Sequence, residues 1–264
     1  MNRAPSPIFS LPLTLALAPA LALAACAEPV EQRSDRGVDG ETGDLEVATT
    51  DGEAALLADA IPAGDFADLE LGAKIIGPRG PEVKVAMSNE AGAFADMTSY
   101  VACPAGMATC DPSEAPEGTV YTYVHTVFPG EDNDAATGSG SGADSSTVEL
   151  AELFRMTGPA HGFTGNAGFS RAEANAAVGD KVMVTVTCQD GALAWTIDAG
   201  EGGDQWAQAE PITFFWQSTL PPAGPANRYE ITANYTTATG EGPYPAASET
   251  ATNACLASSG TGGS

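Results

Sequence analysis

Lys181-Val182-Met183-Val184-Thr185-Val186-Thr187-Cys188-Gln189-Asp190-Gly191-Ala192-Leu193-Ala194-Trp195-Thr196-Ile197 is the stretch that decides how this chain folds. Val182, Val184, Val186 and Cys188 alternate with Lys181, Met183, Thr185 and Thr187, and Leu193, Trp195 and Ile197 alternate beyond the Asp-Gly pair. A period of two puts one set of side chains on one face of a strand. Asp-Gly between two such runs marks a hairpin, because both residues tolerate the positive φ of a type I′ turn. With Asp190 and Gly191 in the turn, Cys188 opposes Leu193, Val186 opposes Trp195 and Val184 opposes Ile197. Every apolar pair then lies on one face, so Cys188 points into a core.

The same pattern recurs outward from this hairpin. Leu69, Leu71, Ala73 and Ile75 alternate, as do Val83, Val85 and Met87, and Tyr229, Ile231, Ala233 and Tyr235. Pro and Gly turns separate the runs. This predicts a mainly β fold, an antiparallel β-sandwich of the immunoglobulin-like kind over residues 66–256, with one short helix. Ser170 with Glu173 forms a capping box, Ala-rich turns follow, and Gly179 can end the helix. Ser146 with Glu149 marks either a second helix or a strand before Leu150, Leu153 and Phe154. Gly80 to Val85 leading to Gly92-Ala93-Phe94-Ala95 is echoed, at an offset of about 99 residues, by Gly179 to Val184 leading to Gly191-Ala192-Leu193-Ala194. Two tandem units, 66–160 and 161–256, would explain the echo; one larger sandwich is the alternative. Pro221-Pro222-Ala223-Gly224 through Tyr229-Glu230-Ile231 resembles the way strands open in fibronectin-type domains, a likeness that carries no function.

The N-terminus is organised for export. Arg3 precedes an apolar run from Ile8 to Leu23 that Pro12 and Pro19 interrupt. The run is shorter than the roughly 20 apolar residues a membrane span needs. It ends in Leu23-Ala24-Ala25-Cys26, which resembles the lipobox of bacterial lipoproteins. That resemblance implies a signal peptide over residues 1–25, removed before Cys26, and acyl chains on Cys26 that anchor the protein to a membrane. Each buried methylene adds about 0.8 kcal/mol, so several acyl chains hold firmly. Ala27-Glu28 after the cysteine, rather than Asp, implies the outer membrane by the same resemblance.

Five cysteines minus Cys26 leave Cys103, Cys110, Cys188 and Cys255, an even number suited to an oxidising compartment. Of the three pairings, Cys103–Cys110 closes a tight loop through Pro104 and Gly106, and Cys188–Cys255 pins the C-terminus to a strand. Cys-x6-Cys is not a zinc spacing.

The formal charge is −25, from 10 basic and 35 acidic residues. Nucleic acid is excluded as a partner, since phosphate binding needs clustered Lys and Arg. Residues 26–65 are an acidic tether with few large apolar groups to offset chain entropy, reaching on the order of 35 Å as a coil. Gly138-Ser139-Gly140-Ser141-Gly142 is a second flexible stretch, and residues 257–264 form a Gly/Ser tail.

Candidate chemistry is sparse. Gly168-Phe169-Ser170-Arg171-Ala172 approaches the G-x-S-x-G nucleophile elbow, but His125 and His161 both precede the serine, against the order of α/β-hydrolases. Glu131, Asp132 and Asp134 cluster on a turn as weak calcium ligands, without the D-x-D-x-D-G pattern. Trp206, in Gly203-Asp204-Gln205-Trp206, and the Tyr121, Tyr123, His125 strand face are the candidate ligand-binding residues, as platforms for a glycan. No cofactor motif is present. The expectation is a lipid-anchored cell-envelope protein acting as a structural or interaction module without catalysis, its partner an envelope protein or glycan. A glycan- or calcium-binding surface module, or a secreted hydrolase built on Ser170 or the histidines, are the alternatives.

Overall fold

A computed structural model describes residues 60–130, 148–207 and 210–258. Residues 1–59, among them Cys26 and the stretches read as signal peptide and tether, residues 131–147, among them Glu131, Asp132, Asp134, Gly138–Gly142 and Ser146, and residues 259–264 lie outside the described residues.

Thirteen strands make the body: β1 (Ala60–Ile61), β2 (Gly64–Asp65), β3 (Leu71–Lys74), β4 (Val83–Asn89), β5 (Gly92–Pro104), β6 (Tyr121–Pro129), β7 (Ala151–Met156), β8 (Phe163–Phe169), β9 (Met183–Gln189), β10 (Ala192–Asp198), β11 (Ile212–Ser218), β12 (Pro222–Ala233) and β13 (Thr236–Pro245). They form one sheet in the order β1-β9-β10-β7-β12-β13-β4-β5-β6-β11-β8-β2, with β3 also on β5. Every pairing is antiparallel except β2 with β8.

The mainly β expectation is met. The hairpin that opened the reading has the register derived for it: Cys188 faces Leu193, Val186 faces Trp195 and Val184 faces Ile197. Asp190 and Gly191 both take positive φ, 50° and 79°, as a type I′ turn requires. Val186, Leu193, Trp195 and Ile197 are buried.

The two-sheet immunoglobulin-like sandwich is not confirmed; the sheet is continuous and curls into a half-barrel. Long strands are the physical reason. β5, of 13 residues, pairs on one edge with β4 and then β3 and on the other with β6. β12, of 12 residues, pairs with β13 and β7. A strand that outruns one neighbour and takes up the next stitches the sheet together, and the accumulated twist curls it. A boundary at 160/161 does not divide the sheet into separate halves, since β7 lies between β10 and β12, and β11 lies between β6 and β8. The two echoing hairpins both have two-residue turns, but Phe94 is an extra residue bulged out of β5 between the partners of Met87 and Ser88.

The curl brings β8 and β9, far apart in the strand order, toward one another. The indole N–H of Trp195 on β10 donates to the carbonyl of Gly168 on β8 at 3.0 Å. A short second helix, α2 (Ala254–Ser258), packs on both β8 and β9, and Cys255 in it is disulfide-bonded to Cys188 of β9. The sequence reading had one helix; α2 is the addition. Inside the curl, Phe154 stacks on Phe214 with centroids 4.9 Å apart, and Trp195 closes the cluster 5.8 Å from Phe214.

Helix α1 (Arg171–Val178) begins where expected, with Ser170 accepting from the Glu173 N–H, and ends at Gly179, φ 109°. The capping box is only half formed. The Ser170 N–H donates to the Thr213 carbonyl at 2.8 Å, and the Glu173 carboxylate accepts from the Thr213 N–H at 2.7 Å. Glu173 therefore supplies β11 with an acceptor where β8 has turned into helix. The Ser146–Glu149 alternative resolves as strand β7 for Leu153 and Phe154. Tyr235 leaves the alternating set it seemed to end: the strand stops at Ala233, and Asn234 and Tyr235 form the β12–β13 turn with φ of 48° and 62°.

Candidate functional site

One concave site of this body begins with an interruption in one ladder. β4 pairs with β5 as far as Ser99, and β3 takes over at Ala102. Between them the chain from Ile75 to Glu82 is thrown outward, held by the Ile75 N–H on the Val101 carbonyl at 2.8 Å. Its tip is a tight turn in which Gly77 and Gly80 exchange backbone hydrogen bonds of 3.1 and 2.9 Å across Pro78-Arg79. Gly80 has φ 88°, a conformation glycine adopts without steric cost.

Across from this turn lie the start of β12 and the end of β13, carrying Pro222, Pro225 and Pro243. β13 is in register with β4 at Thr239 and Ser88. Proline has no N–H to donate, so a ladder does not extend along such an edge. The result is an open apolar hollow of about 100 Å³, walled by Ile75, Pro81, Val83, Tyr100, Pro225 and Pro243. Ile76 stands beside it, 71% exposed.

The rim is charged while the walls are not. Arg79 reaches Glu241 of β13 at 2.6 Å, tying the turn to the opposite wall. Lys74 pairs with Glu82 at 2.6 Å and lies 3.8 Å over the Tyr100 ring. The Lys74 hydrogen bond holds the Glu82 carboxyl below the usual carboxylate range. Burial raises the Tyr100 phenol. Both ion pairs are well exposed, so each contributes about 0–1 kcal/mol; their effect is on orientation.

Behind the wall lies a sealed polar pair. Ser99 of β5 and His125 of β6 are register partners, with Ser99 Oγ 2.8 Å from His125 Nδ1. Both are fully buried. The imidazole packs against Tyr229, centroids 4.1 Å apart, and Phe154, and its Nε2 finds no hydrogen-bond partner. Desolvation lowers the His125 pKa to about 3, so the ring is neutral at pH 7. A nucleophile–base pair also needs a group that orients the base and a path for substrate. This pair has aromatic neighbours and no solvent-facing surface.

The residues singled out in the sequence are scattered. Tyr121, Tyr123 and His125 do share one face of β6, but all three are buried. Tyr123 stacks on Trp216 at 4.4 Å and donates to the Leu220 carbonyl at 3.0 Å. They are core, not a platform. Trp206 is buried too, 1% exposed, its indole N–H given to the Glu210 carbonyl and its ring edge-on to Phe214. A ring with no free face cannot stack on a sugar, which corrects the glycan reading at these positions. His161 sits beside Tyr244, away from His125. Ser170 caps α1. The disulfides Cys103–Cys110 and Cys188–Cys255 are both present. The calcium candidates Glu131, Asp132 and Asp134 fall outside the described residues, among which no cluster of three metal-binding side chains occurs.

The hollow went unread in the sequence because it draws on segments far apart in the chain. The available signal was proline clustering at 78–81, 221–225 and 243–245 within strand-like runs.

No protein family, no curated protein and no solved structure matches this chain.

Proposed function

We propose that this chain is a lipid-anchored protein of the bacterial cell envelope, held by acyl chains on Cys26 at the outer membrane, whose β body is an interaction module rather than a catalyst. The observation that carries the reading is the pairing of cysteines. Cys103, Cys110, Cys188 and Cys255 are consumed in two disulfides, which belong to an oxidising compartment. Cys26, the fifth, is the one that ends the Leu23-Ala24-Ala25-Cys26 motif. The role of the body is supported by its surface: a rigid apolar hollow opens outward, while the Ser99–His125 pair is buried.

No helix of the described residues is long and apolar enough to cross a membrane; attachment is assigned to the lipid. Metabolic labelling with a clickable palmitate analogue tests this. The wild-type chain takes up label and sediments with outer membranes; Cys26→Ser loses label and leaves that fraction. Equal labelling of the two chains overturns the anchor.

A further inference from the structure

The outer face of the curled sheet holds a second concavity, where β7 starts and β10 ends. Phe154 and Trp195 point into the core, so Leu153 on β7 and Thr196 and Asp198 on β10 point outward. Thr185, Thr196, Leu153 and Thr232 fall in one row across β9, β10, β7 and β12, with Leu153 its one apolar member. At this row Leu150, Leu153 and Ile197 help to wall an open groove of about 560 Å³. Met183 extends the apolar surface: it is the register partner of Asp198 and is 58% exposed. The groove is several times the size of the roughly 150 Å³ cavity that admits benzene. It takes several side chains at once, more than a lone alkylammonium fills.

The charge of this groove has one sign. Glu152 and Asp198 are the charged residues that line it, and among the described residues neither is in an ion pair. Asp198 uses Oδ1 locally, accepting from the Gly200 N–H at 2.8 Å, and keeps its full charge. The bases closest along the chain are engaged elsewhere. Arg155, the next outward residue of β7, is held by Glu230 at 2.6 Å, and Lys181 gives its ammonium to the Glu201 carbonyl at 3.1 Å. Complementary potential therefore selects a cationic partner, and the acidity of the whole body attracts it from the same direction. Lys and Arg suit such walls, since their aliphatic stems cover apolar surface while the charged head reaches a carboxylate. β7 is paired on both edges, with β10 and β12, so the contact is made by side chains and not by an added strand.

We infer that this groove docks a basic segment of a partner protein, with the stem of a Lys or Arg on Leu150 and Leu153, its head at Glu152 and Asp198, and a neighbouring aliphatic side chain against Met183. The inference rests on the reading of the body as an interaction module. Random-peptide display against the full chain carrying Cys26→Ser tests it without any acyl group, so its outcome is independent of the anchor experiment. Selected peptides should combine Lys or Arg with Leu, Ile or Val. Because the whole chain is acidic, position decides the test, not the enrichment of basic peptides alone. Glu152→Gln/Asp198→Asn should weaken the selected peptides about tenfold or more at physiological salt. Glu90→Gln/Glu117→Gln removes the same charge at exposed positions outside the groove and, with distant charges screened, should weaken them less than about twofold. Leu153→Ala should weaken them severalfold at low and high salt alike, as loss of apolar contact does. Circular dichroism checks the folding of each variant. Peptides equally sensitive to both charge pairs would show mere attraction to an acidic body and overturn the inference. Peptides indifferent to all three variants would overturn it and leave the interaction-module reading standing. No enrichment at all would overturn it, as would binding of spermine that Glu152→Gln/Asp198→Asn abolishes, in place of the peptides.

Discussion

Ser99 Oγ and His125 Nδ1 lie 2.8 Å apart on neighbouring strands, both sealed from solvent. The pair occupies the middle of a core otherwise built from Phe154, Tyr229 and Phe214. The serine satisfies one ring nitrogen, and the other is left to apolar neighbours. The cost of such a nitrogen is of the order of 1–3 kcal/mol, so this is a locally expensive arrangement.

That burial makes stability depend on pH. The folded imidazole stays neutral down to about pH 3, whereas the unfolded one takes a proton near its ordinary value of 6.5. Between those values the unfolded state binds more protons, so stability rises with pH through this window and is flat above it. Urea unfolding at pH 7 and pH 5 should differ by about 2 kcal/mol, lower at pH 5. In His125→Asn most of that difference should vanish. A wild-type stability unchanged between pH 7 and 5 would contradict the buried neutral ring.

The two disulfides should differ in weight. Cys188–Cys255 spans 67 residues and Cys103–Cys110 spans 7. On the chain-entropy account the longer loop contributes about 4 kcal/mol and the shorter about 2.5. Cys188→Ala/Cys255→Ala should lower the midpoint of denaturant unfolding more than Cys103→Ala/Cys110→Ala. It should also speed hydrogen exchange in β8 and β9, which α2 bridges. The reverse ranking would show that loop length is not what decides.

Gly168 is set where a side chain cannot be. A Cβ there would lie 2.1 Å from the Gly64 carbonyl oxygen of β2, and backbone cannot swing aside as a flexible side chain can. Gly168→Ala should detach β2 from β8 and cost about 2 kcal/mol or more, in the range of other strained or overpacked sites. Thermal unfolding measures it; a melting temperature within a degree of wild type would mean that β2 contributes nothing.

Tyr235 is 88% exposed with φ 62°, in a turn position that glycine fills without strain. A side chain in this left-handed region costs about 1–2 kcal/mol, of which the extra freedom of an unfolded glycine takes back about half. Tyr235→Gly should therefore stabilise the protein, by about 0.5–1 kcal/mol in denaturant titration. Destabilisation would show that the ring makes a contact worth more than the strain.

Much of the fold could be read directly. Alternation and the Asp190-Gly191 pair sufficed for the β9–β10 register, because a one-residue slip would send Trp195 and Val186 to opposite faces. Counting cysteines pointed to the observed pairs, and Ser170 announced a helix start. The candidate site could not be read this way. Tyr121, Tyr123 and Trp206 stood as candidate platforms beside their reading as packing residues, because a strand pattern tells which residues share a face, not which face the sheet turns inward.

What the sequence by itself determined is local: which runs become strands, where turns with positive φ fall, which cysteines are available, and how acidic the whole must be. Each follows from interactions between residues a few positions apart or from composition. Only the tertiary structure decided that the strands join in one curled sheet, that His125 lies in its dry interior, and that prolines from three distant segments wall an open hollow. Those outcomes depend on which strand edges meet, and edge pairing is settled by packing across the whole chain, where no short stretch of residues carries the answer.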